Sequence, residues 1–290
     1  MRDAFKHPKN DDAHVWRYAV IQKISQILII ADDLSGAADC TAGAVRAGLV
    51  TQVALGHELA ESAVAHPVQV WSIDTDTRRL QPADAAKINA EILKRCRRPG
   101  QLLYKKIDST LRGNFAAELL PMLAGSEMAV VAPAFPDAGR CTRNGHQYVN
   151  GVALEETEIW RNEGISGKAD IPGRLSAHGI RTASLSLDQV RAGHAALRKS
   201  MEECIVQGTQ AVVCDAETNE DLQQIAQASI PLSSSLFWVG SAGLANQLPD
   251  AAGLVGHAKP PKIEVKGAIL TAVGSMSAIS RKQMQNLSLS

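Results

Sequence analysis

Acidic, basic and hydroxyl residues directly follow three aliphatic stretches of the sequence. Asp32 and Asp33 directly follow the stretch at 26–31 (QILIIA), and Arg78 follows the stretch at 68–73. The segment 105–114 (KKIDSTLRGN) places lysines, an arginine, an aspartate and two hydroxyl residues close together. Carboxylates serve as general bases or metal-linked groups, and clustered cations bind carboxylates or phosphates. This pattern predicts a site for a small polar anion.

The adjacent aspartates allow two interpretations. An aspartate before a helix can cap it by accepting backbone N–H hydrogen bonds. That role accounts for one carboxylate, but not for two at the exit of a buried strand. We predict that at least one of Asp32 and Asp33 is functional, as a general base or a metal-linked group.

The segment 105–114 offers several groups that bind anions. Arg112 suits a bidentate contact with a carboxylate or phosphate, and Lys106 supplies a point charge. Asp108 and Ser109 lie between them in the sequence. The alternative interpretation is a solvated loop that contains an Asp–Arg pair.

A second loop, at 133–145, combines prolines with basic residues. Its prolines would form the wall of a small-ligand pocket, with Arg140 or Arg143 facing an anion. The alternative is an ordinary tight loop. The Gly- and Ser-rich turns at 240–243 and 274–277 follow predicted strands, where backbone N–H groups can hold an anion.

Aliphatic strands alternate with helices over most of the chain. We predict strands at 26–31, 51–55, 68–73, 101–105, 128–132, 183–187, 211–215, 236–239 and 268–273, and helices at 37–47, 82–97, 115–124, 187–207 and 219–228. Continuous apolar strands joined by helices indicate an α/β fold with an open, mostly parallel sheet and flanking helices. The segment at 137–175 is expected to be irregular, with a short hairpin near 145–152. Because ligands bind at the carboxyl ends of such strands, the polar residues above are expected to share one crevice.

Composition excludes several classes of protein. The 290 residues are 45% hydrophobic, which supports a core, and their formal net charge is zero, which argues against a nucleic-acid or membrane-surface partner. Five cysteines without a CxxC pair favour the reducing cytoplasm over a zinc site or disulfide framework. No apolar stretch is long enough to span a membrane, and the first 25 residues do not read as a signal peptide. The histidines lack metal-ligand spacing, so no metal ligands are predicted among the residues.

The predicted organisation has four parts. Residues 1–25 form an N-terminal extension, 26–256 a complete α/β domain, and 257–266, with its two prolines, a linker. Residues 267–290 read as the beginning of a second α/β domain. The alternative is a final strand that docks on the first domain.

Seven strings in the chain resemble the four-carbon acid sugar kinase family in their residues, order and approximate spacing. They are ADDLSGAADC, DTDTR, KKIDSTLRGN, APAFPDAGR, NGHQYVNG, VGSAGLA and VGSMS, and together they extend over about residues 26–280. The resemblance implies ATP-dependent phosphorylation of the terminal hydroxyl of threonate, erythronate or 3-oxo-tetronate. It also implies an N-terminal domain that binds the acid sugar and a C-terminal domain that supplies most of the nucleotide site.

The resemblance assigns roles to residues of this chain. The resemblance implies substrate-binding roles for Asp32 and Asp33, one of which would contact the substrate, and for Arg78, Lys106, Ile107, Asp108 and Ser109. Arg112 joins this set because its guanidinium suits a carboxylate or phosphate. Ser275 or Ser277 resembles the first ATP contact of the family. Mg²⁺ would neutralise the phosphates, and Asp33 or Asp108 would act as the catalytic base. The cationic cluster of Arg78, Lys105, Lys106 and Arg112 suits a small acid, whose carboxylate Arg78 and Lys106 would bind.

Compared with the family, the chain stops where the second domain begins. We therefore expect a truncated kinase that retains the sugar-acid site and lacks most of the ATP site. A non-catalytic sugar-acid-binding module is the main alternative. A nicotinamide-dependent oxidoreductase is disfavoured because no GxGxxG motif is present. Oligomeric state stays open, with a homo-oligomer included.

Overall fold

The computed structural model describes residues 24–56, 68–125, 128–259, 267–268, 270–273 and 278–288. The chain divides into two compact units, residues 1–258 and 259–290. In the second unit, residues 278–288 form a helix, but residues 268 and 270–273 are not part of a strand. The strand predicted at 268–273 is therefore not found at its described positions. A strand is stabilised by ladder hydrogen bonds, and none of these positions pairs with a described strand.

The described part of the first unit contains eleven strands. They are β1 (Gln26–Ala31), β2 (Thr51–Leu55), β3 (Val70–Asp74), β4 (Gln101–Lys106), β5 (Met128–Ala132), β6 (Arg140–Arg143), β7 (His146–Val149), β8 (Val152–Ala153), β9 (Thr182–Leu185), β10 (Ala211–Cys214) and β11 (Leu236–Gly240). Eight of these pair in parallel in the order β2-β3-β1-β4-β11-β5-β10-β9. The predicted fold class, an open parallel sheet with flanking helices, is confirmed.

Helices cover both faces of the large sheet. They are α1 (Leu34–Arg46), α2 (Pro82–Cys96), α3 (Phe115–Leu123), α4 (Glu158–Asn162), α5 (Ile171–Ser176), α6 (Leu187–Val190), α7 (His194–Val206), α8 (Asn219–Ser229), α9 (Ala242–Ala245) and α10 (Leu248–Ala251). None of the helices in the described part of the chain has the length and apolar character needed to cross a bilayer.

Both faces of strand β1 are buried, which explains its uninterrupted aliphatic sequence. Ile27 and Ile29 belong to one buried cluster, whereas Leu28 and Ile30 belong to another. Successive side chains of a strand point to opposite faces, so each face of the sheet receives two of them. Each fully buried Ile or Leu side chain contributes roughly 1.5–3 kcal/mol through the hydrophobic effect.

Two predicted segments differ from the structure. The helix predicted at 187–207 is two helices, α6 and α7, because Gly193 between them has φ +94°. The segment at 137–175, predicted to be irregular apart from a short hairpin near 145–152, does contain that hairpin as β7 and β8. It differs from the prediction by adding β6 to form a three-stranded antiparallel sheet, and by the helices α4 and α5. Its elements are short, and contacts with the rest of the domain hold them: the carboxylate of Asp215 accepts hydrogen bonds from the backbone N–H groups of Asn144 and Gly145.

Gly240, at the end of the central strand β11, has no room for a side chain. A Cβ there would lie 2.5 Å from the backbone oxygen of Ala132 and 2.8 Å from the Tyr104 hydroxyl. We expect Gly240→Ala to lower the free energy of unfolding by about 1–3 kcal/mol, because backbone oxygen in the sheet cannot move aside. Urea denaturation measures this, with Gly125→Ala, whose nearest neighbour would lie 3.6 Å away, as the control. Equal stability of the two variants would contradict the prediction.

Candidate functional site

The loops that follow five neighbouring strands meet at one edge of the sheet. In spatial order these strands are β3, β1, β4, β11 and β5. The chain places β2 and β3 on one side of β1 and β4 on the other, so the strand order reverses between β1 and β4. Ligands of open α/β sheets bind at this kind of reversal. A cavity of about 180 Å³ lies there. Pockets for drug-sized ligands measure about 300–1,000 Å³, so the cavity suits a smaller molecule.

Most of the predicted site residues come together in this cavity. Those that line it are Asp33, Arg78, Lys106, Asp108, Ser109 and Arg112. Asp32 and Ile107 do not: Asp32 is 2% exposed and Ile107 is 1% exposed. The Ile107 side chain packs in the core, and its backbone N–H donates to the oxygen of Gly240 at 2.9 Å. Ile107 therefore anchors the loop after β4 and offers no side chain to a ligand.

The cavity has further lining residues. Phe135 and Arg140 belong to the loop at 133–145, and Ser241 to the turn at 240–243, both of which the sequence indicated. Ser35 and Asp39 were not predicted. Ser35 and Asp39 lie four residues apart on α1, directly behind the aspartate pair. The i, i+4 spacing of a helix places them on one face, and that signal was present in the sequence.

Arg78 binds both aspartates of the pair. Its guanidinium donates to Asp32 at 2.8 and 3.0 Å and to Asp33 at 2.8 and 2.7 Å. Burial opposes the charge of Arg78, but the hydrogen bonds and charge of Asp32 prevail, so the pKa of Arg78 is raised above its usual value. Asp33 also accepts from the backbone N–H of Gly36 and so caps α1. Asp33 therefore caps the helix and also binds Arg78, whereas, among the described residues, the Asp32 carboxylate binds Arg78 alone.

A second arginine–carboxylate pair closes the loop after β4. Arg112 donates to Asp108 at 2.6 and 3.2 Å, and the Thr110 hydroxyl donates to the same carboxylate. Burial favours the neutral form of Asp108, but the hydrogen bonds and charge of Arg112 outweigh it. The pKa of Asp108 is therefore well below its usual value. Asp108 is a weak proton acceptor in this state.

Lys106 lies across the first turn of α1. A Cβ at Gly36 would overlap the Lys106 ammonium group and would lie 2.6 Å from an Asp33 oxygen. The absence of a side chain at Gly36 is what admits the ammonium. No described residue forms a hydrogen bond or ion pair with the Lys106 side chain, which leaves its charge available to a ligand in the cavity.

Lys105 does not belong to the cationic cluster predicted above. It forms an ion pair with Glu118 of α3 at 2.7 Å, outside good hydrogen-bond angles, and both side chains are fully buried. Glu118 also accepts a hydrogen bond of 2.6 Å from the hydroxyl of Thr77, the residue before Arg78. The buried pair therefore supports the loop that carries Arg78.

The segment between β5 and β9 holds the loop after β4 from its other side. The Gln147 side chain of β7, fully buried, donates to the backbone oxygen of Ser109 at 2.8 Å. The Trp160 indole of α4 donates to the oxygen of Thr110 at 2.9 Å. These two bonds give this segment a role in the site that its sequence did not reveal.

The described residues include less of the expected contacts to ATP and Mg²⁺. Ser275 and Ser277 lie outside the described residues. Within the described ranges, no group of three or more His, Cys, Asp or Glu side chains is placed to hold a metal ion. The carboxylates of Asp33 and Asp108 already accept hydrogen bonds from arginines. The described residues therefore do not by themselves fit Mg²⁺.

A larger cleft of about 680 Å³ lies beside α3 and α5 and includes Arg174 and Lys168. Among the described residues that line it, none is a predicted site residue. Its Arg174 guanidinium stacks on the rings of Phe115 and Trp160 at 5.4 and 5.3 Å. Size alone is a weaker indicator than convergent polar groups, so we assign the site to the smaller cavity.

The fold and the cavity define a domain that binds a small polar ligand at the reversal point of a parallel sheet. The sequence profile described as "sugar-binding N-terminal domain" matches residues 27–248. The chain belongs to this family, and the resemblance to the four-carbon acid sugar kinases is confirmed.

Known relatives show how far the similarity extends. The chain is similar to the D-threonate kinase of Cupriavidus necator, 46% identical over 257 residues, which cover 88% of this chain and 62% of that protein. It is 31% identical over 272 residues to the D-erythronate kinase of Heliobacterium modesticaldum, covering 90% of this chain and 60% of that protein. The chain thus spans about 60% of the length of these relatives.

A solved structure supports the fold. The crystal structure of a domain of unknown function from Bordetella bronchiseptica, with bound citrate and as a domain-swapped dimer, matches with a TM-score of 0.68 and 32% identity. The match covers 91% of this chain and 64% of that one.

The buried pair beneath the site gives a prediction about stability. We expect Glu118→Gln to lower the free energy of unfolding by about 3–5 kcal/mol, because Lys105 keeps a buried charge without its partner. Lys105→Met combined with Glu118→Gln removes that charge and keeps an acceptor for Thr77, so it should regain more than half of the loss. Urea denaturation of the single and double variants measures both values. A double variant as unstable as the single one would contradict this account.

Gly36 gives a prediction about binding. We expect Gly36→Ala to weaken binding of a small organic acid in the cavity at least tenfold, about 1.4 kcal/mol, because the new Cβ displaces the Lys106 ammonium and the Asp33 carboxylate. Stability should change by no more than about 1 kcal/mol, since the displaced groups are side-chain ends and Ala favours a helix. Titration calorimetry and urea denaturation measure the two effects. The control Ala38→Gly, on the same helix and outside the cavity, should lose stability and keep its affinity.

Proposed function

We propose that the cavity binds a four-carbon sugar acid of the threonate or erythronate type. We also propose that the chain provides the sugar-acid-binding part of a kinase that phosphorylates the terminal hydroxyl. The observation that carries the proposal is the charge arrangement of the cavity. Arg78 and Arg112 are neutralised by aspartates, whereas the ammonium of Lys106 faces the cavity without a partner among the described residues.

A sugar acid complements these groups. Its carboxylate needs a positive charge, which Lys106 supplies, and its hydroxyls need acceptors and donors, which Asp33 and Ser109 supply. Arg78, which binds both aspartates, holds Asp33 in place and contributes further positive charge at the cavity wall. The names of the relatives and the citrate in the Bordetella structure, a hydroxylated carboxylic acid, support a ligand of this class.

Transfer of a phosphoryl group to a hydroxyl needs a carboxylate near the attacking oxygen. We assign this role to Asp33 in preference to Asp108. The hydrogen bonds and charge of Arg112 keep the pKa of Asp108 well below its usual value, so Asp108 is a poor proton acceptor. Asp33 is the more exposed of the two, with 25% of its side chain accessible against 10%.

The phosphate donor belongs to the same proposal. ATP with Mg²⁺ is the donor that the family resemblance implies, and Ser275 or Ser277 is the proposed contact. Mg²⁺ would take part of its oxygen ligands from the phosphates of the donor, as Mg²⁺ usually does in kinases. The proposal also includes the cytoplasm as location, supported by five free cysteines, and a homo-oligomer as assembly, supported by the dimer of the Bordetella relative.

A second candidate is a sugar-acid-binding module without kinase activity. The observation that favours it is the placement of the site. All of the described residues that line the cavity lie between 33 and 242, whereas the proposed nucleotide contacts lie outside the described residues. The described lining therefore belongs entirely to the first compact unit, which favours binding of the acid by that unit.

Calorimetry with D-threonate, L-threonate and D-erythronate tests the binding function. We expect at least one acid to bind at a single site, and Asp33→Asn to weaken its binding because the amide no longer accepts two hydrogen bonds from Arg78. Arg143→Met, on β6 and outside the cavity, is the control and should bind normally. No binding of any of the three acids would overturn the proposal.

A coupled assay of ADP release with Mg-ATP separates the two candidates. Release that depends on the acid supports the kinase, and Asp33→Asn should reduce its rate at least about a hundredfold, the contribution typical of a general base. Binding of the acid without ADP release supports the binding module instead.

A further inference from the structure

We propose that Arg140 recognises the carboxylate of the ligand and makes the site selective for sugar acids over neutral sugars. This inference rests on the proposed function, because it names the group that one part of the sugar acid contacts. Arg140 begins β6 and lines the cavity with Phe135 and Ser109.

Among the described residues, the guanidinium of Arg140 has neither a hydrogen-bond partner nor an ion pair. Its Nε is buried. Burial without a partner carboxylate lowers the pKa of Arg140 below its usual value, even though the nearby charge of Asp108 raises it. A buried donor without an acceptor costs about 1–3 kcal/mol, and more when the group is charged. A ligand that supplies an anionic acceptor removes this cost.

The other arginines near the cavity are already occupied. Arg78 donates four hydrogen bonds to two aspartates, and Arg112 donates to Asp108 and Glu163. Arg143 pairs with Glu217 and does not line the cavity. Among the described arginines that line the cavity, Arg140 alone can offer a planar fork of N–H groups without breaking an ion pair. Lys106 adds charge but lacks the fork that matches a carboxylate.

The backbone holds Arg140 in position. Residues 136–138 form a single 3-10 turn, and Gly139 follows it in the left-handed region at φ +69°. Phe135 and Arg140 then exchange two backbone hydrogen bonds of 2.8 and 3.0 Å. Because this turn is closed before a ligand arrives, little backbone order has to be gained on binding.

The charge of the cavity agrees with an acid as the occupant. With Arg78 and Arg112 paired, Lys106 and Arg140 remain as positive groups, and Asp39 is an exposed carboxylate without an ion pair in the described residues. Counted over the lining alone, four cations (Arg78, Lys106, Arg112 and Arg140) face three carboxylates (Asp33, Asp39 and Asp108), while the buried Asp32 lies behind Arg78. A monoanionic acid matches the excess positive charge of the lining.

Calorimetry with matched ligands tests the role of Arg140. D-threonate and its neutral amide, D-threonamide, differ only in the charge and acceptor capacity of one group. We expect the unmodified chain to prefer threonate to threonamide by at least about tenfold, the gain typical of a charged hydrogen bond. Arg140→Met should lose most of that preference by weakening threonate binding alone. Arg140→Lys should retain part of it, and Arg143→Met, the matched control on the same strand, should retain all of it.

Thermal melting of each variant with and without ligand shows that the variants are folded. A preference for threonate that is unchanged in folded Arg140→Met would overturn the role of Arg140 and leave the proposed function intact. Loss of ADP or inorganic phosphate binding in Arg140→Met, with threonate binding unchanged, would also overturn it and assign Arg140 to a phosphate. If the unmodified chain binds no four-carbon acid, the proposed function fails and this inference fails with it.

Discussion

The bond network of Arg78 with Asp32 and Asp33 is the interaction on which the site depends. It joins the loop after β3 to the loop after β1, two strands that pair with each other in the sheet. Four hydrogen bonds in two bidentate contacts fix the guanidinium and both carboxylates at once. The same carboxylate of Asp33 caps α1, so the position of the helix, of the arginine and of the cavity wall depend on one another.

That network decides which charges are left for a ligand. Arginine and aspartate are abundant around the cavity, but most of them neutralise each other within it. Two cationic groups of the cavity have no partner among the described residues: the ammonium of Lys106, for which Gly36 leaves room, and the guanidinium of Arg140, which a closed turn holds in position. A count of charges in the sequence does not distinguish these two from the paired ones. The ion pairs, and not the number of charged residues, determine which positive groups the cavity offers to the proposed acid.

Polar groups buried beneath the cavity keep its loops in position. The ion pair of Lys105 with Glu118 supports Thr77, and Gln147 and Trp160 bind the backbone after β4. Each of these donors and acceptors is removed from water, so a misplaced loop would leave buried polar groups unpaired at a high cost. The site is therefore preorganised by residues that do not touch the cavity.

The sequence alone determined the parallel α/β fold, because each central strand must be apolar on both faces, and β1, β2 and β5 match the predicted boundaries. It also predicted which loops meet, since Asp33, Arg78, Lys106 and Asp108 all line the cavity. Only the tertiary structure decided which cations are free, that Lys105 and Ile107 are buried, and that the segment at 137–175 supports the site. The physical reason is that periodicity and composition report burial along one element. Ion pairing and the contacts of short elements depend on residues far apart in the sequence, which meet only when the sheet is assembled.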